Sequence, residues 1–165
     1  VQQAYEETKR VCGFRDPDFF FALLAGNGNG VNPAHTEAKV KEFLRKNAHR
    51  YLLAGAKNFL SQLSLRGRVS ILSVGTGWFQ REKIEASGIL SPVCEVHVVK
   101  NKRDFFQGIT PNKGVFLTDD SPLQIIQVKK AFPWVTTVLL NKKKDSPAAD
   151  ITARTFDDVL KAMAS

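Results

Sequence analysis

No apolar run in this sequence approaches the 18 residues that a membrane span needs. No secretory signal is visible. There is no internal repeat and no low-complexity segment. Cysteine is scarce: Cys12 and Cys94 are the only two, far apart and without metal-ligand spacing. His35, His49 and His97 form no ligand pattern with them. Such usage fits a reducing, cytoplasmic setting, with no membrane partner. The run GNGNG at 26–30 is no phosphate loop, because no strand leads into it and no Lys-Ser/Thr follows. The chain also lacks an initial methionine and begins at Val1.

What is present is ordinary for a globular protein: 165 residues, 43% hydrophobic and 24% charged, enough for a real core. The charge balance is basic, with 24 Lys and Arg against 16 Asp and Glu, a formal +8. An excess of this sign favours anionic partners, either phosphorylated small molecules or nucleic acid.

Hydrophobic periodicity predicts helices over 2–11, 36–48, 54–65, 79–86, 103–107, 121–132 and 156–163, and strands over 69–74, 93–99, 115–117 and 135–140. Residues 16–25, DPDFFFALLA, read equally as a short helix or a buried loop. In the helix over 36–48, Val40, Phe43 and Leu44 are expected inside and Lys39, Lys41, Arg45 and Lys46 outside. Phe59, Leu60 and Leu63 face inward in the next helix. Residues 141–147, with three consecutive lysines, read as an exposed loop. From residue 54 onward helices and strands alternate, the signature of a parallel sheet with crossover helices. Residues 1–50 are helix and loop and read as a helical cap on an α/β core of residues 51–165.

The sequence centres on GVFLTDDSPLQIIQVKK, residues 114–130. Val115, Phe116 and Leu117 suit a short buried strand. Ser121 is a helix N-cap and Pro122 the first helical residue. Ile125, Ile126 and Val128, with Phe132 beyond, give that helix an apolar face. Asp119 and Asp120 thus stand at the carboxyl end of a strand, where open α/β sheets bind ligands. Two adjacent carboxylates repel by about 1 kcal/mol at 4 Å in water, and a divalent cation with hard oxygen ligands, Mg²⁺, relieves that repulsion. A solvated turn that caps the helix is the other reading of the pair.

Two further strand ends carry polar groups. Ser73 closes VSIL and is followed by VGTG; Lys100 and Lys102 follow the strand ending at Val99. A hydroxyl, a cation and a carboxylate pair at three strand ends are the parts that phosphoryl transfer requires.

The stretch YLLAGAKNFLSQLSLRGRVSILSVGTGWFQREKIEASGI resembles the region around the second motif of the haloacid dehalogenase (HAD) superfamily, with Ser73 in the place of its strand-ending Ser or Thr. VVKNKRDFFQGI is similar to the third motif; Lys100 fits the phosphate-binding lysine by its distance to Phe106, and Lys102 fits it by its place at the helix start. VFLTDDSPLQIIQVKKAF resembles the fourth, Mg²⁺-binding motif. As an adjacent pair, both Asp119 and Asp120 match; as the Ser-Pro variant, Asp120 matches and Gln124 replaces a second Asp. DITARTFDDVLKAM resembles the C-terminal strand and helix, and AYEETKRVCGF, more weakly, the first cap helix. The resemblance implies a Rossmannoid, three-layer α/β fold with a parallel sheet and a small N-terminal helical cap.

It also implies a Mg²⁺-dependent phosphohydrolase acting on a small phosphorylated substrate through an aspartyl-phosphate, with Ser73 and a lysine on the phosphate. The superfamily's nucleophile is the first Asp of a DxDxT-like motif on the central strand. The only Asp-x-Asp here is Asp16-Pro17-Asp18, preceded by Arg15 and with Phe20 where Thr is expected. If the helix from Gln2 is the first cap helix, that motif and its strand belong a few residues before Val1. The alternative is a HAD-like module without chemistry that binds a partner or nucleic acid. Gln124 and the basic charge support that alternative.

Overall fold

The computed structural model describes residues 2–12, 16–26, 32–90, 94–112, 114–140 and 147–164. Eight α-helices and five strands alternate over most of this length. They form two compact units, Val1–Leu53 with Ser70–Lys100, and Ala54–Val69 with Asn101–Ser165. Among the described residues the strands lie in two sheets, β1 (Val69–Val74) beside β2 (Cys94–Val99), and β3–β4–β5.

In the first unit, α1 (Gln2–Cys12), α2 (Pro17–Gly26), α3 (Pro33–Asn47) and α5 (Gly77–Ala86) pack in succession. The ambiguous FFFALLA segment is helix α2. Asp16 caps it, accepting the amides of Asp18 at 2.9 Å and Phe19 at 3.1 Å, and Pro17 supplies a pre-set φ at the first helical position. Asn32 and Pro33 start α3 in the same way, three residues earlier than the apolar period suggests. Phe43, expected inside, is 55% exposed. Polar ties join the helices: Trp78 Nε1 donates to Asp18 at 2.7 Å, and Arg45 pairs with Glu82 at 2.6 Å. Residues 27–30 of the GNGNG run lie outside the described residues.

In the second unit, β3 (Phe116–Asp119), β4 (Thr136–Leu140) and β5 (Ile151–Ala153) form a parallel sheet in that order. The crossover from β3 to β4 is α7 (Pro122–Ala131). On one face, Phe59 of α4 (Ala56–Ser64) and Val159 of α8 (Phe156–Ala162) close over Val138 and Ala153. Phe59 stacks on Phe156 with centroids 4.6 Å apart. Strand alternation sends Leu117, Asp119, Thr137 and Leu139 to the other face. Ile125 and Val128 of α7 are fully buried, whereas Ile126, expected beside them, is 43% exposed. A position one residue on lies about 100° around the helix, off the stripe that Ile125, Val128 and Phe132 share. Most of the lysine loop after Leu140 lies outside the described residues.

One buried polar network was not foreseen. Thr137 is fully buried, and both its amide and its hydroxyl donate to Asp150 Oδ2, at 2.8 and 2.9 Å. Lys129 Nζ donates to the same oxygen at 2.7 Å and to the Pro133 and Val135 carbonyls. Burial alone would raise the Asp150 carboxyl, but the Lys129 ammonium and the two Thr137 donors hold it below its ordinary 3.8. Its stabilisation is therefore present above that value and lost as pH falls through the lower folded-state value. Asp150→Ala strands the Thr137 donors in the sheet and is expected to cost about 1–3 kcal/mol in urea denaturation. The variant should also lose part of the decline in stability that the parent shows on acidification below pH 3.8.

Candidate active site

Strand β3 runs two residues beyond its apolar stretch because its ladder with β4 continues through Thr118↔Val138 to Asp119↔Leu139. Leu139 is fully buried, and Asp119, paired with it in register, is only 7% exposed. Ser121 then caps α7, accepting the Gln124 amide at 3.5 Å, with Pro122 at the first helical position. The cap conformation turns the Ser121 amide back onto Asp119 Oδ1, at 2.8 Å. The other oxygen, Oδ2, accepts a hydrogen bond from Lys102 Nζ. Lys102 opens the short helix α6 (Lys102–Phe106) behind its N-cap Asn101, and its side chain is 13% exposed. Both oxygens of Asp119 are thus engaged, and the ammonium is fixed by a buried carboxylate.

The remaining candidates take different places. Lys100 is exposed, just past the end of β2. Asp120 is exposed, one residue beyond β3. Gln124 Oε1, in the first turn of α7, is buried without a hydrogen-bond partner among the described residues. Ser73 belongs to the first unit, half-buried in β1, and its hydroxyl donates to Gln80 Oε1 at 3.0 Å. Asp16, whose Oδ1 holds the first amides of α2, serves there as a helix cap.

Gln80 had no signal in the sequence, because its link to Ser73 is made by a turn. Gly75 makes that turn with φ +143° and donates its amide to the Val99 carbonyl at 3.2 Å. A Cβ on Gly75 would lie 2.7 Å from Gln80 Nε2. Gly75→Ala therefore meets both an unfavourable φ and a clash, and is expected to destabilise the protein by about 1–3 kcal/mol in thermal or urea melts. Gln80→Ala in the same chain should recover only the clash part, leaving the backbone strain.

No protein-family model matches the chain, and no curated protein does. Solved structures with a similar fold include the following two. One, described as a haloacid dehalogenase-like hydrolase from Burkholderia xenovorans LB400, matches with a TM-score of 0.73 at 23% identity, over 97% of this chain and 80% of that one. The other, a dehalogenase with an intermediate complex, matches with a TM-score of 0.56 at 18% identity, over 68% of this chain and 57% of that one. The parallel ladders, the crossover helix and this likeness together give the chain a Rossmannoid α/β fold, similar to that of the haloacid dehalogenase-like hydrolase.

Proposed function

We propose that this chain is a hydrolase of the HAD type that removes phosphate from a small phosphorylated substrate. The observation that carries the reading is the buried Lys102–Asp119 pair at the carboxyl end of β3. An ammonium held in place by a carboxylate, largely out of water, is a preorganised partner for phosphate oxygens. Asp119 positions Lys102.

The acidic pair would hold Mg²⁺. Asp119 and Asp120 offer hard oxygens, and the orphaned Gln124 Oε1 offers a neutral one. Among the described residues no group of three or more His, Cys, Asp or Glu is placed to hold a metal. Water would therefore complete the shell, and affinity would be weak. When bound, the ion would offset charge on the transferring phosphoryl group.

A second reading, a HAD-like module that binds a partner or nucleic acid, draws support from Asp16. The one Asp-x-Asp of the sequence is committed to capping α2, which leaves it unsuited to attack phosphorus.

Turnover of p-nitrophenyl phosphate with Mg²⁺ separates the readings. Lys102→Met and Asp119→Asn are expected to lower kcat by about 100-fold or more. Asp16→Asn should leave kcat unchanged, since it touches only the cap. Equal turnover in the parent, Lys102→Met and Asp119→Asn would overturn the assignment. Because no attacking carboxylate is readable in this sequence, the variants are compared in a protein carrying a DxDxT-like motif ahead of Val1, and complete inactivity of that protein would favour the binding module.

A further inference from the structure

Within the first unit, α1, α2, α3, β1 and α5 line an open cleft of about 590 Å³. That volume lies in the range of small-molecule sites, about 300–1,000 Å³. Its walls are apolar, with Phe20, Phe21, Val40, Val74 and Phe79 among them. Two charged residues, Asp16 and Lys83, also line it. They are not equivalent. Asp16 Oδ1 is held by two amides at the start of α2, where the helix dipole offsets a negative charge.

Lys83 has no such compensation. Its side chain makes no ion pair and no hydrogen bond among the described residues. Three cations of α3 do find partners: Lys41 pairs with Glu37, Arg45 with Glu82 and Lys46 with Glu42. Lys83 is exposed as a residue, and partial burial of its ammonium lowers its pKa. A cation that gives up water without gaining a partner is destabilised until an anion arrives.

We propose that this cleft binds a small amphipathic anion, its apolar body against the phenylalanines of α2 and α5 and its negative head on Lys83 Nζ. The site lies within one unit, and the proposal does not depend on the hydrolase reading. The chemistry that fits is a carboxylate or sulfonate on an aromatic body of one or two rings or on a branched aliphatic body. Asp16 disfavours a second negative charge on the same ligand.

Naphthalene-2-sulfonate, which contains no phosphoester, is the probe, and naphthalene-2-sulfonamide its neutral control. Calorimetry on the intact protein should show 1:1 binding of the sulfonate. Lys83→Met keeps the apolar stem and is expected to weaken the sulfonate about ten-fold or more while changing the sulfonamide less than about two-fold. Val40→Trp, which fills the cleft, should weaken both, with circular dichroism confirming that it folds. Lys83 is an exposed position, so its variant tests the proposal even if Val40→Trp does not fold. No sulfonate binding at about millimolar concentration, or equal sulfonate affinity in the parent and Lys83→Met, would overturn it. Failure of phosphatase activity would leave these readouts unchanged.

Discussion

The second unit depends on one buried ion pair. Taking a carboxylate and an ammonium out of water costs several kcal/mol for each ion, recovered only when geometry is close and the remaining hydrogen-bonding capacity is used. Asp119 meets that condition through Lys102 and the Ser121 amide. The pair in turn constrains its surroundings. It requires β3 to stay in register with β4 as far as Leu139. It requires α7 to begin at Pro122, so that the Ser121 amide points back, and α6 to begin at Lys102. A strand end, two helix starts and a charged centre are thus one arrangement. Lys129, Thr137 and Asp150 anchor the neighbouring strand, so β4 has polar constraint as well as apolar burial.

The first unit is organised by a different constraint, the turn after β1. Gly75 leaves no room for a side chain, and Gln80 fills the space that a Cβ would occupy. Ser73 is oriented by that glutamine. The same glutamine lines the cleft in which Lys83 has no partner among the described residues. A ligand in the cleft and the orientation of Ser73 therefore share one side chain.

Much of the fold was legible because local signals agreed with the tertiary outcome. Ser121-Pro122, Thr155 with Asp158, and the apolar runs of β1 and β4 all mark elements that are present. The misreadings have physical causes. The segment at 16–25 has no period, since Phe19, Phe20, Phe21, Leu23 and Leu24 crowd into six positions; only the Asp16-Pro17 cap signature identifies α2. That signature recurs at Asn32-Pro33 and places the start of α3, which periodicity alone misjudged. Thr118 and Asp119 look like loop because they are polar, and only pairing with β4 keeps them in the strand. At the site, the residue types were readable but their partners were not. Lys100 and Lys102 are two residues apart in sequence, yet one is exposed beyond a strand and the other is sealed against Asp119. No spacing rule distinguishes them.

A double-mutant cycle on Lys102 and Asp119, read by urea denaturation, tests the dependence on this pair most directly. Lys102→Met and Asp119→Leu should each cost about 3–5 kcal/mol by stranding the other charge, while the double variant, with two apolar side chains of similar volume, should be far less destabilised than their sum. Additivity within about 0.5 kcal/mol would contradict the account, because it would mean that the two groups do not hold one another.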